Sequence, residues 1–252
     1  MDTCSGGRST SRGMTHQARG DFFKSSATGL TEDSSGWVTL DVMANDRGGK
    51  AKSLYSLDNG AESGDASAYS DLLAKDAVGS VQYSRLGAEI KITADGKVAY
   101  HITPGMNLQA LAAGESVTDT FTYAIKLANG ALSWATASVQ IVGVNDAPTV
   151  TALSSSILEG AGSVTVDALS GAADVDHGSV LSVVAPSVLP EGVSYDAATH
   201  SFSLDANNAA YNSLAAGETK VVTVSYGVSD QPSGGGDHDD DDHDDDDHDD
   251  DD

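Results

Sequence analysis

The side chains with the clearest chemical potential in this chain carry oxygen. Asn145 and Asp146 stand together at the end of an alternating apolar run, Glu159 follows, and Asp174-Val-Asp176 sets two carboxylates at alternate positions, so that both project from one side of an extended loop. Carboxylate, amide and carbonyl oxygens are what a hard cation such as calcium takes, about six to eight at a time. Asn145, Asp146, Glu159, Asp174 and Asp176 are therefore candidate calcium ligands at one junction in the chain. A local reading competes with this one, because Asn and Asp side chains also bond their own backbone in turns.

A second set lies at the carboxyl end. His238, His243 and His248 are five apart, and 13 of the last 16 residues are Asp. Imidazole nitrogens suit zinc, nickel or copper rather than calcium. A period of five matches neither helix nor strand, so no regular element gathers these histidines on one face. Self-repulsion keeps residues 232–252 extended and solvated, and the segment is expected to be disordered.

Other chemistries are excluded by pattern. Asp174-Val-Asp-His-Gly178 opens like an EF-hand loop, but its twelfth position is Ala185 rather than Glu. Gly234-Gly-Gly-Asp237 does not satisfy the glycine-rich calcium nonapeptide. No nucleophile elbow, phosphate-binding glycine loop or HExxH helix occurs, and His101, His177 and His200 are isolated, so the chain reads as non-enzymatic. A net charge of −25 repels phosphate backbones and argues against nucleic acid. Cys4 is the single cysteine, so packing or metal, not an intrachain disulfide, must hold the fold. No apolar run reaches the roughly 18–20 residues of a membrane span. Trp37 and Trp134 read as core or half-buried strand residues rather than carbohydrate platforms.

The elements that position these groups are strands. Phe121, Tyr123, Ile125 and Leu127 alternate with polar or small residues, and Asn129-Gly130 offers a two-residue type I′ turn. That turn pairs Leu127 with Leu132, Ile125 with Trp134 and Tyr123 with Thr136. Val139 and Ile141 then fall out of phase. Either a bulge between Ala135 and Ser138 brings Val139 opposite Phe121, or the strand is covered on both faces. Ala94-Asp95-Gly96 forms a three-residue loop that pairs Ile92 with Val98 and Ile90 with Tyr100. Short helical turns are expected over Tyr69–Val78, anchored by Leu72 and Leu73, and over Asn107–Ala112. Residues 1–26 are polar and aperiodic and are expected to be disordered, with no apolar stretch resembling an export signal.

The chain also repeats itself. Leu111-Ala-Ala-Gly-Glu-Ser116 returns as Leu214-Ala-Ala-Gly-Glu-Thr219, an offset of 103 residues. Tyr123 then maps to Tyr226, and Val38-Thr-Leu-Asp41 has a counterpart in Val164-Thr-Val-Asp167. Tandem modules follow: 27–148 and 149–231, both all-β sandwiches. The second is incomplete, because the strand that should pair with Val222–Val228 is missing, as in a piece of a longer reading frame. Glu32 maps to Glu159 but has no module before it, and it reads as a solvated side chain.

Four stretches in order, Leu40-Asp-Val-Met-Ala-Asn-Asp46, Leu111-Ala-Ala-Gly-Glu115, Asp119-Thr-Phe-Thr-Tyr123 and Val144-Asn-Asp-Ala-Pro148, resemble the VCBS repeat. This is a cadherin-like β-sandwich module of long, calcium-dependent bacterial surface and RTX-type adhesins. The resemblance runs from about Glu32 to Pro148, and a more distant copy continues to Asp230. It implies immunoglobulin- or cadherin-like sandwiches and calcium at the joint, where metal neutralises mutually repelling carboxylates and stiffens the array. It further implies a secreted or cell-surface location and, as partners, neighbouring repeat modules or cell-surface ligands. Cadherin-type linkers carry a further acidic residue two positions before the Asn; here that position is Gly143. Two rival functions remain open: a metal-sequestering protein acting through its Asp/His tail, and an accessory module of an exported enzyme.

Overall fold

A computed structural model describes residues 17–60 and 71–230. The described chain is almost entirely strand and connection. One four-residue α-turn, α1 (Ser25–Thr28), and a few short 3-10 turns make up its helix. It divides into two compact units, with the boundary between Asn145 and Asp146.

The first unit is a β-sandwich. Its strands are β1 (Asp21–Phe23), β2 (Val38–Leu40), β3 (Ser53–Asp58), β4 (Gln82–Tyr83), β5 (Glu89–Ile92), β6 (Val98–His101), β7 (Ser116–Lys126) and β8 (Leu132–Val142). They form two sheets, in the orders β1-β8-β7-β3 and β2-β6-β5-β4. Leu40, Ile90, Ile92, Val98 and Tyr100 from one sheet and Leu57, Phe121, Tyr123, Ile125, Val139 and Ile141 from the other make one continuous core. The β5–β6 hairpin has the expected register, Ile92 opposite Val98 and Ile90 opposite Tyr100. Gly96 takes φ +78° in its loop.

Asp119 of β7 is buried in that core. Its Oδ2 accepts a 2.6 Å hydrogen bond from the Tyr100 hydroxyl of the opposite sheet, and its Oδ1 accepts the Leu86 and Thr120 N–H groups at 2.9 and 2.8 Å. A buried carboxylate persists only when its lone pairs are used in this way. The bond ties the two layers together at one point.

The β7–β8 hairpin departs from expectation. Its loop has three residues, Ala128-Asn129-Gly130, closed by Leu127 N–H to the Ala131 carbonyl at 2.9 Å, with Gly130 at φ +83°. Lengthening the loop by one residue slips the register by one and sends every side chain of β8 to the other face. Trp134 therefore opposes Ala124, outside the core and half-buried, while Ala137, Val139 and Ile141 face inward. The ladder is regular from Ser116/Val142 to Lys126/Leu132, so no bulge is needed.

Residues 17–26, expected to be disordered, are ordered. β1 runs parallel to β8, Asp21 to Phe23 beside Ala137 to Val139. The Ser133 hydroxyl accepts the N–H groups of Gln17 and Ala18. Backbone pairing of this kind needs no apolar period, which is why composition alone misreads it. Two helix expectations also shift. The 3-10 turn begins at Pro104, whose fixed φ suits a first helical position, and ends at Met106. A 3-10 turn at Asp71–Leu73 buries Leu72 and leaves Leu73 exposed. Trp37 is 41% exposed, with the Lys91 ammonium 3.7 Å from its ring centre and His101 stacked at 5.0 Å. Residues 1–16 and the 232–252 tail, with His238, His243 and His248, lie outside the described residues.

The second unit comprises β9 (Thr149–Val150), β10 (Ser163–Asp167), β11 (Ala172–Ala173), β12 (Ser182–Val184), β13 (Val193–Asp196), β14 (Ser201–Asp205) and β15 (Gly227–Ser229). Its sheet order β10-β14-β13 repeats the β2-β6-β5 order of the first unit. The repeated turn is also built alike. Ala112 N–H donates to Glu115 Oε2 at 3.0 Å in one copy, and Ala215 N–H donates to Glu218 Oε2 at 2.6 Å in the other. Only β15, a short part of the expected final strand, is paired, and its partner is β12.

Candidate metal centre

In the second unit, two very short strands do the positioning. β9 and β11 pair antiparallel, Val150 with Ala172 and Thr149 with Ala173. Continuing that register beyond the strands sets Asp176 opposite Asp146. The hydrogen bonds agree: Asp146 N–H donates to Asp176 Oδ2 at 2.9 Å, and Asp176 N–H donates to Asp174 Oδ1 at 2.8 Å. Three of the five candidate ligands are thus brought into one chain of contacts. Asp176 is 8% exposed.

The remaining oxygens of this loop are left over. Asp174 Oδ2, Asp176 Oδ1 and Ser179 Oγ are buried and have no hydrogen-bond partner among the described residues. A buried polar atom without a partner costs about 1–3 kcal/mol, more when it carries charge. The asymmetry is informative, because one oxygen of each carboxylate is held by a backbone N–H while the other points at no donor. A local turn accounts for Asp174 Oδ1, but not for Asp176 Oδ2, whose donor lies 30 residues away, nor for either leftover oxygen. The leftover donors are all hard oxygens, which fit calcium and not the softer transition metals.

Asn145 and Glu159 are exposed, and Glu159 lies outside the chain of contacts that joins Asp146, Asp176 and Asp174. Ser179 was not among the candidates; its proximity depends on how the loop after Asp176 folds back, which residue type does not reveal.

The first unit holds its own orphaned carboxylate. Glu32 is not solvated as expected but 4% exposed. Its Oε1 accepts the Val144 N–H at 2.7 Å, and its Oε2 is buried with no partner among the described residues. Carboxylate oxygens of Glu32 and Asp33 come within 4.8 Å of each other. The burial has a backbone cause: a parallel bridge joins Thr31 to Val142, and Glu32 N–H donates to the Val142 carbonyl. Glu32 is thereby carried to the end of β8, which no feature of residues 27–36 announces.

Gly143 has an equally local explanation. A Cβ there would lie 2.2 Å from the Ala112 carbonyl oxygen and 2.3 Å from that of Leu111. The repeated turn packs its backbone directly against this residue, so the acidic side chain of the cadherin-type pattern has no room.

Comparison with known proteins adds little. No protein-family model and no curated protein matches the chain. Among solved structures, murine CEACAM1b is similar over 64% of this chain and 75% of its own, with 12% sequence identity and a TM-score of 0.24. A likeness of that size carries no argument about function. The all-β architecture stands on the strands and sheets themselves. No described helix is long and apolar enough to cross a membrane.

Proposed function

We propose that this chain is a non-enzymatic, calcium-binding tandem module acting as a stiffening spacer in a bacterial cell-surface or secreted adhesin. The observation that carries the calcium part is the pair of buried, partnerless oxygens on Asp174 and Asp176. Asp174 and Asp176 would hold the ion through these oxygens, Asp146 would steady Asp176 through its backbone N–H, and Ser179 lies in the same loop. Calcium would supply charge neutralisation where carboxylates crowd, which turns an unfavourable cluster into a brace. The adhesin setting rests on the resemblance of the four sequence stretches to the VCBS repeat, and the partners it implies are neighbouring repeats or cell-surface ligands.

The test uses the full chain and an Asp174→Asn/Asp176→Asn double variant, so that any weak binding by the acidic tail is common to both. Calorimetric titration with calcium should give the wild type a saturable site that the variant lacks. Calcium at about a hundred times the dissociation constant should stabilise the wild type by about 2.7 kcal/mol. Identical heats and identical thermal shifts in the two chains would remove calcium from this loop.

A further inference from the structure

Another acidic pair, buried Asp46 and half-buried Asp21, lies in the first unit and takes no part in the Asp174–Asp176 loop. Its centre is the hydroxyl of Tyr123, a side chain with no exposed surface. That oxygen sits 2.7 Å from the Arg19 carbonyl oxygen, 2.9 Å from Asp21 Oδ2 and 3.1 Å from Asp46 Oδ1. Asp46 is 8% exposed; its Oδ1 also accepts the Arg19 N–H at 2.6 Å, and its Oδ2 is buried without a partner among the described residues. Asp21 Oδ1 accepts from the Asn45 amide at 2.9 Å, and that amide also donates to the Gly20 carbonyl.

Counting protons exposes the problem. A phenol has one proton to donate and lone pairs with which to accept. Three acceptors surround it, and a carbonyl can donate nothing. With both carboxyls ionised, two of the three contacts would set lone pair against lone pair in a buried place. One additional proton relieves half of the conflict: a protonated Asp21 donates to the Tyr123 oxygen, Tyr123 donates onward to the Arg19 carbonyl or Asp46, and one contact between acceptors is left instead of two.

We infer that Asp21 and Asp46 share one proton across the Tyr123 hydroxyl, and that this proton clasps residues 17–23 to the body of the first unit. The clasp has two sides. β8 holds the segment by parallel pairing and through Ser133, and the turn at Asn45–Arg47 holds it through Asp46 and through Arg47 N–H to the Gln17 carbonyl. Loss of the proton strains the second side and leaves the first in place.

The surrounding charges fit a proton better than a metal ion. Facing Asp21 are Tyr123 from β7 and Asp46 and Asp41 from the segment after β2; facing Asp46 are Arg19, Lys52, Tyr123 and Asp21. The Lys52 ammonium is already bonded to the carbonyls of Met43 and Asp46, so a cation stands beside the pair. Burial, helped by the charges of Asp46 and Asp41, pushes the Asp21 carboxyl up to about 6. Burial raises Asp46 as well, while the Arg19 N–H, the Tyr123 hydroxyl and Lys52 pull it back. A carboxyl whose folded value lies above its unfolded one stabilises the fold fully below the unfolded value, about 3.9, and loses that contribution as pH rises through about 6.

Carbon-detected NMR of the full chain, following the two carboxyl carbons against pH, tests the proton directly. One of the pair should titrate near pH 6, and both titrating below about 4.5 would overturn the inference. Thermal melting of the wild type and of Asp21→Asn adds a functional readout. The asparagine amide can donate to Tyr123 at any pH. The wild-type melting temperature should therefore fall by several degrees between about pH 5 and pH 7.5, and the variant should lose most of that fall. Equal pH dependence in the two proteins would refute the clasp. So would a calcium-induced shift of the Asp21 carboxyl at neutral pH, which would make the group a cation site. Asp174→Asn/Asp176→Asn should leave all of this unchanged, which separates the clasp from the calcium reading.

Discussion

Removing the Asp119 carboxylate should unfasten the two layers of the first unit. Asp119→Ala would leave the Tyr100 hydroxyl and the Leu86 and Thr120 N–H groups facing a vacated, dry site. Hydrogen bonds to a charged group are worth about 1.5–3 kcal/mol each, but they share one carboxylate and do not add. Taking one partner out of a buried ionic set typically costs about 3–5 kcal/mol, and that is the loss expected here. Tyr100→Phe removes only one of the three bonds. In a double-mutant cycle the Asp119–Tyr100 coupling should then be about 1.5–3 kcal/mol. Urea titration followed by tryptophan fluorescence suits the measurement, since both tryptophans, Trp37 and Trp134, lie in the first unit. A loss below about 1 kcal/mol at unchanged denaturant slope would mean that water or a shifted backbone replaces the carboxylate, and the reasoning from burial would fail.

Two further substitutions test the local geometry. Phe121→Ala should cost about 3–5 kcal/mol and Trp134→Ala only about 1 kcal/mol by circular dichroism, the order the three-residue hairpin loop dictates; equal costs would point to the two-residue loop instead. Gly143→Ala should be poorly tolerated, at about 3 kcal/mol or more, because the new methyl group would meet two carbonyl oxygens of the backbone. A normally stable variant would show that the repeated turn can move away from β8.

What the sequence made legible followed from period and turn chemistry. The β5–β6 hairpin could be drawn residue by residue, because Ala94-Asp95-Gly96 and the alternation on both sides allowed one register. The same method failed at β7–β8 by one residue, since Asn129-Gly130 suits a two-residue turn as well as the end of a three-residue one, and Trp134 changed faces with it. The tandem arrangement was readable from the repeated Leu-Ala-Ala-Gly-Glu turn, whose glutamate closes back on its own backbone in both copies. Asp174 and Asp176 could be singled out as candidates by their alternate spacing. Ser179 could not be, because the fold of its loop leaves no mark in residue type, and Glu32 and the Asp21–Asp46 pair could not be, because each owes its position to pairing between residues far apart in the chain. Glu32 depends on a bridge to Val142, and Asp21 on a parallel strand of three residues.

That parallel strand matters when the chain is pulled. Among the described residues β1 is the first strand of the first unit and β8 the last, and they lie side by side pointing the same way. Tension entering before Asp21 and leaving after Val142 would drag the two strands in opposite directions along their length. Their hydrogen bonds, with the Thr31–Val142 bridge further along the same edge, would be loaded together in shear. An antiparallel pair whose free ends lay at one side would instead open bond by bond, like a zip. Three residue pairs in shear must break almost at once, so a strand of only three residues would carry a mechanical resistance out of proportion to its area.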